Sequence, residues 1–408
     1  SGSFTTNGNL QCAIAFLLLG NTPELMQAVF RYFDARWDGY RRNARAFFAL
    51  PGFHLPAQVT ISPRAAAFNA NYPHCFSSAG APWILQFYYD YARYTGDRGF
   101  LESHAYPLMR EAAAFFEGFL THRDGAGKLV FVPSYSPENA PGPTASCSTA
   151  INATMDVAAC RQLLRNCIAT ATLLGVDGDA CQRWSALIRD LPDDALDSAG
   201  CFREWLWPGL GERHAHRHAS QFYALYDEMP PDILDRPDLV AGIEQAIRAR
   251  LDHHRHHPIM AFGLVQVGLA AARIRHADLT DEIIDLLAAR YWSTGMGSFH
   301  NGGALFNTDI SGGFPYLCAS ALVYADPGHL VLFPACPPHW RSGTISGLRL
   351  RGAIILQSLS WTPDRAEATL VADQDQVVRV ETPGRCFQTL ALVAGQPQTL
   401  TCAGPGSS

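Results

Sequence analysis

The run from Pro133 to Asn139 holds two prolines and places one carboxylate directly after the second of them, in a chain that is otherwise mainly helical. Pro133 and Pro137 fix the backbone locally and exclude a regular helix. Glu138 therefore lies on a rigid loop, and a carboxylate held in this way needs little further ordering when it transfers a proton. These properties make Glu138 a candidate catalytic acid, although the same run also fits a plain surface loop.

Other polar residues that could do chemistry lie far from this loop in sequence. In Asn7-Gly8-Asn9 the two amides are two residues apart, so in extended backbone they point to the same side. The run also fits a tight turn that caps a helix beginning at Leu10. Asp309 lies in a glycine-rich loop, where a turn residue is the simpler interpretation. Glu204 and Asp156 lie among apolar neighbours, which favours buried structural groups over alternative acids.

Histidines are concentrated in two segments. His214, His216 and His218 alternate, and on a strand they would present a face that resembles a metal site. No Cys, Asp or second His pair lies at ligand spacing in the sequence, so we predict no metal and no organic cofactor. The run His253–His257 ends a predicted helix, where cationic side chains suit the negative end of the helix dipole.

The composition indicates a globular protein without a strong charge bias. Of the 408 residues 48% are hydrophobic and 17% are charged, and the formal net charge is −6. No block of Lys and Arg is present, so nucleic acid and anionic membrane surfaces are poor candidates as partners. The 11 cysteines are scattered without a CxxC pair, which argues against a disulfide framework. Cys160 and Cys167 fit a helical pattern as buried thiols.

The start of the chain carries no recognisable targeting signal. The apolar run Leu10 to Leu19 is too short to span a bilayer and predicts a buried helix. The first residues, Ser1-Gly2-Ser3, also fit a fragment of a longer protein whose signal segment was removed, in which case the protein would be secreted or periplasmic. The sequence assigns neither a compartment nor an oligomeric state.

Helical periodicity dominates residues 10 to about 325. Leu108, Ala112, Phe115 and Phe119 form an apolar stripe typical of an amphipathic helix. Similar patterns predict helices over 10–19, 23–45, 83–94, 99–120, 152–174, 179–191, 217–227, 237–252, 258–275, 279–292 and 314–325. Ten to twelve helices in alternating pairs predict an (α/α)6 toroid, with nearly all-apolar inner helices and amphipathic outer helices.

From Gly328 onward the pattern changes to short apolar and alternating segments. They predict strands over 330–333, 345–350, 353–361, 366–371, 377–381 and 389–393. The fold class is therefore mainly α, with the toroid followed by a small β-sandwich. We predict two domains, a catalytic toroid over 1–326 and a β-sandwich over 327–408.

Several stretches match one known family in order along the chain. They are Thr5–Gln11, Tyr94–Asp97, Phe100-Leu101, Ala105–Met109, Ser136–Asn139, Thr154–Asp156, Glu204-Trp205, His216–Ser220, Asp309, Leu332–Trp340 and Gly343–Gly352. In these stretches the chain resembles glycoside hydrolase family 95, the inverting α-L-fucosidases. Each motif is short, but their order and spacing are specific and cover nearly the whole chain. The N-terminal β-domain that such enzymes usually carry is not seen.

The resemblance implies a role for four of the polar residues. Glu138 matches the family's general acid and Asp309 matches its base, as inverting hydrolysis requires. Asn7 and Asn9 match two amides that hold the attacking water. An amide accepts a hydrogen bond from water but cannot take its proton, so Asp309 supplies the basicity. Glu138 must be protonated to act, and we expect its surroundings to raise its pKa.

Arg217 and His218 match positions that contact the sugar, where a guanidinium and an imidazole can bind vicinal hydroxyls. Three departures from the family pattern are present. Ala13-Ile14-Ala15 replaces Asn-Tyr-Trp, Gln221 replaces a histidine, and Ile310–Gly313 replaces Gly-Asn-Phe-Gly. The missing aromatic predicts a changed substrate choice. α-L-Galactosides are candidate substrates beside α-L-fucosides. The two sugars differ by one hydroxyl at C6, and an apolar pocket rejects such an addition only weakly.

The sequence therefore predicts a glycosidase that cleaves α-L-fucosides or α-L-galactosides with inversion, acting on an oligosaccharide or glycan. One alternative is a phosphorylase or another sugar-cleaving enzyme on the same toroid. No glycine-rich or lysine-containing phosphate cradle supports the phosphorylase. A second alternative is a glycan-binding remnant of the family without catalysis, which turnover of an aryl fucoside would distinguish.

Overall fold

A computed structural model of the chain describes residues 3–60, 62, 72–142, 147–257 and 260–406. Helices dominate the chain up to Leu322. The α-helices are α1 (Asn9–Ile14), α2 (Phe16–Leu19), α3 (Pro23–Asp34), α4 (Trp37–Phe48), α5 (Gly80–Thr95), α6 (Arg98–Phe100), α7 (Tyr106–Phe119), α8 (Thr154–Leu174), α9 (Gly178–Asp190), α10 (Pro231–Leu234), α11 (Pro237–His256), α12 (Ala261–Arg273), α13 (Ala277–Arg290) and α14 (Asp309–Leu322). Within the described ranges, no helix is both long and apolar enough to cross a membrane.

Strands dominate from Val323 onward, and short two-stranded sheets lie in the loops between helices. The strands are β1 (Ser3–Thr5), β2 (Gln58–Thr60), β3 (Ser134–Tyr135), β4 (Thr149–Ala150), β5 (Phe299–Asn301), β6 (Ala304–Phe306), β7 (Val323–Asp326), β8 (His329–Leu332), β9 (Gly343–Leu350), β10 (Ile354–Trp361), β11 (Arg365–Ala372), β12 (Gln376–Thr382), β13 (Cys386–Leu392) and β14 (Gln398–Ala403). The short sheets join β1 to β2, β3 to β4 and β5 to β6.

The helices divide into buried and half-exposed sets, as the sequence predicts for a toroid. Every residue of α12 is buried, and α8 buries most of its length. In α9, by contrast, only Ala180 and Trp184 are fully buried. A helix that is apolar all round lies inside a protein, whereas an amphipathic helix covers it from outside. The prediction of a mainly helical toroid followed by small β-sheets is confirmed.

Several predicted elements differ from the structure, and the segment 10–19, for example, is divided into α1 and α2. The segment 23–45 forms two helices, because the chain turns at Ala35-Arg36 and Trp37 packs its ring 4.5 Å from that of Phe53. The end of the segment 314–325 is the strand β7, which pairs with β8. In the segment 217–227 the structure has only a 3₁₀ helix over Ser220–Leu225. Local apolar periodicity does not distinguish these outcomes, which tertiary contacts decide.

The C-terminal strands form two four-stranded sheets, in the orders β14-β11-β10-β9 and β13-β12-β8-β7. Their pairs are antiparallel except β8 with β12, which is parallel. Strand β7 lies before the predicted boundary and β8 lies after it, and the two belong to one sheet. The division of the chain into domains over 1–326 and 327–408 stays a prediction.

Buried ion pairs join the β-sheets to the helices. Arg351, in the turn between β9 and β10, donates to both carboxylate oxygens of Asp90 in α5 at 2.9 and 2.8 Å, and both side chains are buried. Arg275, which follows α12, pairs with Glu381 of β12. A bidentate guanidinium–carboxylate contact fixes orientation as well as distance. These pairs hold the sheets in one arrangement against the helical part.

Candidate active site

Two hydrogen bonds connect the Asn-Gly-Asn run to both candidate carboxylates. Asn7 Nδ2 donates to Glu138 Oε1 at 3.1 Å, across 131 positions of sequence. Asn9 Nδ2 donates to Asp309 Oδ2, across 300 positions. The two amides therefore hold the two acids at one place, although the three segments are remote in the chain. The structure brings together all four residues that the sequence selected for chemistry.

Arg217 and His218 lie on the other side of Glu138. The Arg217 Nη2 donates to Glu138 Oε2, and His218 Nε2 lies 3.6 Å from the same oxygen. His218 is buried, and the Arg217 side chain is 28% exposed. Both residues therefore lie against Glu138, the carboxylate that the sequence analysis predicts as the acid.

Two buried acids hold the loop that carries Glu138. Asp156, at the start of α8, accepts hydrogen bonds from Ser134 Oγ at 2.6 Å and from the Tyr135 N–H at 3.0 Å. Glu204 accepts from Ser136 Oγ at 2.7 Å and from Asn139 Nδ2 at 2.8 Å. The interpretation of both acids as buried structural groups is confirmed. They fix the loop on either side of Glu138.

Arg250, in α11, connects Glu204 to the segment that carries His218. Its Nη2 donates to Glu204 Oε2 at 2.7 Å, and its Nη1 donates to the His218 carbonyl at 2.6 Å. Its Nε donates to Gln221 Oε1 at 3.0 Å. Gln221, which replaces a histidine of the family pattern, therefore belongs to this support and not to the pocket. Burial raises the pKa of Glu204, and the charge of Arg250 lowers it again in part.

Asp309 begins α14, and a close helix contact holds it beside Asn9. A Cβ on Gly312 would lie 2.2 Å from the Ala13 carbonyl oxygen, so only glycine lets α14 approach α1 this closely. The Asp309 N–H donates to Asn307 Oδ1 at 2.6 Å. Thr5 Oγ1 donates to Asn9 Oδ1 and fixes the amide from the opposite end. The glycines after Asp309 thus serve helix packing.

Gly8, between the two amides, adopts a φ of 149°, and a Cβ there would lie 2.6 Å from Phe262 Cε2. We expect Gly8→Ala to lower kcat/KM for a glycoside substrate at least tenfold, because both the backbone strain and the ring contact displace Asn7 and Asn9. Steady-state kinetics measures this change.

The matched control is Gly127→Ala, since Gly127 also has positive φ but no neighbour within 4 Å of the added methyl. It should leave the rate unchanged. Equal rates for the Gly8 variant and the native protein would show that the Asn-Gly-Asn geometry is not limiting.

The protonation of Glu138 differs from the sequence-based expectation. Burial raises its pKa, but the contacts with His218, Arg217 and Asn7 outweigh burial and bring the pKa well below its usual range. The carboxylate is therefore ionised in the ligand-free protein, where a proton donor was expected. The reason is that His218 and Arg217, both expected to contact sugar, lie directly against Glu138.

Asp309 has the opposite shift. Burial raises its pKa, against the hydrogen bonds from Asn307 and Asn9. Burial also lowers the pKa of nearby His300, and the charge of Arg217 adds to that effect, while Asp309 and Glu138 oppose it. One imidazole therefore senses the charges on both acids, which is a second indication that they share one site.

Several residues of the site carry no signal in the sequence. His74 Nε2 lies 3.9 Å from Glu138 Oε1, and His300 Nδ1 lies 3.0 Å from Asn307 Nδ2. His74 begins a 3₁₀ helix over His74–Phe76 and His300 lies in β5, and neither belongs to a motif that the sequence analysis recognised.

Four buried polar atoms around Glu138 have no hydrogen-bond partner among the described residues. They are Asn7 Oδ1, His74 Nδ1, and both ring nitrogens of His218. Buried polar groups are almost always paired, so each of these atoms is suited to bind water or a ligand. The hydroxyls of a sugar would supply the missing donors and acceptors.

The segment Ala13-Ile14-Ala15 does not border Glu138. Ala15 lines a cavity of about 30 Å³ together with Gly8, Trp83 and Tyr226, and none of the six candidate residues lines it. This volume holds one or two water molecules. Gly8 of the Asn-Gly-Asn run lines the same cavity. A larger side chain at position 15 would therefore press on the segment that carries the two amides.

The remaining histidines have separate environments. His216 Nδ1 accepts from the His218 N–H at 3.1 Å. Among the described residues, two groups of side chains are spaced as metal ligands could be, and His214 belongs to one of them. His216 and His218 belong to neither group. His254 is buried at the end of α11, and burial lowers its pKa to about 4. The interpretation of the 253–257 run as a cationic helix end is therefore wrong for His254, which is neutral at pH 7.

Comparison with known proteins identifies the family of the chain. The model of the glycosyl hydrolase family 95 catalytic domain matches residues 1–314. Alpha-L-fucosidase 2 of Arabidopsis thaliana is 26% identical over 369 residues, which are 87% of this chain and 43% of that protein. The chain thus spans less than half the length of this curated relative.

Solved structures are similar in fold. A putative kojibiose phosphorylase from human microbiome superposes with a TM-score of 0.61 at 11% identity, over 99% of this chain and 60% of that one. An alpha-L-rhamnosidase of Streptomyces avermitilis, in complex with L-rhamnose, gives a TM-score of 0.50 at 14% identity, over 96% and 38%. The family match covers most of the chain and includes every candidate residue, so this chain belongs to glycosyl hydrolase family 95 through its catalytic domain.

Proposed function

We propose that the protein hydrolyses α-L-fucosides, or the closely related α-L-galactosides, with inversion at the anomeric carbon. Glu138 gives a proton to the leaving oxygen, and Asp309 takes a proton from the attacking water. Asn7 and Asn9 hold that water against Asp309. Arg217 and His218 bind ring hydroxyls. The relative named alpha-L-fucosidase 2 supports the choice of sugar.

One observation supports this proposal more than any other. The adjacent amides Asn7 and Asn9 each contact a different carboxylate, and Asn7 Oδ1 is buried without a partner among the described residues. An inverting site needs an acid and a base on opposite faces of the sugar, with a water position beside the base. The unpartnered Asn7 Oδ1 is an acceptor that suits that water or a substrate hydroxyl.

The charge state of Glu138 requires a change on substrate binding. His218 and Arg217 together keep the carboxylate ionised in the free protein, since both are among the causes of its lowered pKa. When sugar hydroxyls take over the imidazole and the guanidinium, burial becomes the dominant effect and the pKa of Glu138 rises towards that of a proton donor. The raised pKa of Asp309 suits a general base, since a more basic carboxylate is better at accepting the proton of water.

The test is a hydrolysis screen over fucosylated and L-galactosylated oligosaccharides, followed by NMR of the first-formed anomer. We expect release of a β-configured L-sugar from the α-linked substrate, because a single displacement inverts the anomeric centre. An α-configured product would exclude inversion. If no glycoside is cleaved while binding persists, the protein is a glycan-binding member of the family without catalysis.

A phosphorylase is the second candidate, and the fold of the putative kojibiose phosphorylase is compatible with it. The same screen distinguishes the two reactions. With inorganic phosphate added, a phosphorylase releases a sugar phosphate and depends on the phosphate concentration. A hydrolase releases the free sugar at the same rate with or without phosphate.

The position of Ala15 gives a prediction about specificity. We expect Ala15→Trp to lower kcat/KM for matched α-L-fucosides and α-L-galactosides by a similar factor. The larger ring would exceed the small cavity beside Gly8 and press on the Asn-Gly-Asn run, and none of the six candidate residues lines that cavity. The ratio of kcat/KM for the two sugars is the measurement. A changed ratio would instead favour the sequence-based hypothesis that this position contacts the sugar.

A further inference from the structure

Asp197, Cys201 and His214 form a cluster outside the candidate active site. Each offers one ligand atom, and these atoms all lie within 4.8 Å of one another. Cys201 is buried, while Asp197 and His214 are half-buried. In sequence the histidine is 13 positions from the cysteine, with no recognised motif spacing. Folding, and not local spacing, creates the group.

A tight turn fixes two of the three residues. Asp197 Oδ1 accepts from the N–H groups of Ala199 and Cys201, both at 2.8 Å, and the Asp197 N–H donates to the Cys201 carbonyl at 2.8 Å. None of these turn bonds involves Oδ2. The thiol and the carboxylate are therefore held in place by backbone contacts before any ligand arrives.

The third residue supplies an independent sign of a missing ligand. His214 Nδ1 is buried and has no hydrogen-bond partner among the described residues. A nitrogen of this kind is a metal ligand when its imidazole is neutral.

We propose that Asp197, Cys201 and His214 bind a thiophilic divalent cation of the Zn²⁺ type. One thiolate, one imidazole and one carboxylate are ligands that zinc uses in proteins, and three protein ligands leave a fourth position for water. A tetrahedral zinc ion separates its ligand atoms by roughly 3.3–3.8 Å. The cluster needs only a small closure to reach this spacing.

A cation here would join two segments that support the active site. His214 is next to Arg213, whose carbonyl accepts from Asn139 Nδ2 at 3.1 Å, and Asn139 follows Glu138. Cys201 lies three residues before the buried Glu204. Binding would therefore stabilise the loop that holds Glu138, without a role for the ion in the reaction.

A second group with ligand-like spacing is a weaker candidate. Asp281, Asp285 and His339 are close together, but His339 Nδ1 already lies 2.8 Å from Asp281 Oδ1 and the group is largely exposed. An exposed carboxylate–imidazole contact is explained as an ion pair. The buried thiol and the unpartnered imidazole distinguish the first cluster.

The experiment titrates reduced, chelator-treated full-length protein with Co²⁺ and records the thiolate-to-cobalt charge-transfer absorption. We expect a saturable band at one equivalent, which Zn²⁺ abolishes by competition. Cys201→Ser should remove the band. Asp197→Asn keeps the oxygen that accepts the turn hydrogen bonds but loses the negative charge, so it should weaken Co²⁺ binding at least tenfold.

The matched control is Cys147→Ser, because Cys147 is an exposed free thiol that lies outside the cluster. It should leave the band and the affinity unchanged. A band that is absent from the native protein, or that persists in Cys201→Ser, would overturn the proposal. The readout does not depend on turnover, so it stands apart from the proposed glycosidase activity.

Discussion

Glu138→Gln should lower kcat for an α-L-fucoside with an unactivated leaving group by about 10²–10⁴-fold, since the amide cannot supply the proton that the leaving oxygen needs. The amide is nearly isosteric and can keep the contact with Arg217 through its carbonyl oxygen, so binding should change little. A dinitrophenyl glycoside leaves without a proton, and its rate should fall far less. Comparing the two substrates measures the contribution of the acid.

The outcome distinguishes three roles for Glu138. An equal loss on both substrates would indicate that the residue positions the sugar and does not protonate it. An unchanged rate on both would remove it from the mechanism. Glu117→Gln is the matched control, because Glu117 pairs with Arg183 at the surface, outside the candidate site, and should leave both rates as they are.

Arg250→Met should lower the free energy of unfolding by about 3–5 kcal/mol, the range for removing one partner of a buried ion pair. Arg250 and Glu204 are both fully buried, and their side chains lie 2.7 Å apart. Without the guanidinium, the Glu204 carboxylate stays buried with less charge compensation and the His218 carbonyl loses a donor. Denaturant unfolding measures the change, and activity should fall with it.

Arg248→Met provides a control on the same helix, two positions away. Arg248 pairs with Glu244 at 2.8 Å, but both side chains are largely exposed. Exposed pairs of this kind contribute about 0–1 kcal/mol. Similar losses for the two variants would mean that burial of the Arg250–Glu204 pair does not control stability.

The sequence identifies the chemistry of the site better than its electrostatics. Asn7, Asn9, Glu138 and Asp309 could be selected because each lies in a recognisable motif. The low pKa of Glu138 could not be predicted, since it depends on His218 and Arg217, distant residues that a motif match assigns to the sugar. Electrostatic shifts follow three-dimensional neighbours, and these are not visible in a single sequence.

In the fold, the long helices could be predicted from the sequence, whereas some short strands could not. Long periodic segments such as α8 and α11 were predicted nearly to their ends, because one apolar face repeats over several turns. β7 was predicted as the end of a helix, although its residues pair with β8. β14 was not predicted, and its pairing with β11 is what makes it a strand. Short elements depend on a partner strand, and their own residues do not specify it.

The hydrogen bond between Asn9 and Asp309 closes a loop of 300 residues. A contact between such distant positions carries a loop-closure entropy cost that the other contacts of the folded chain must offset. A chain in which every helix has formed but the first and last helices have not met would have no base beside the amides. The site is therefore a property of the closed ring, and it cannot be assembled from either half of the helical part alone.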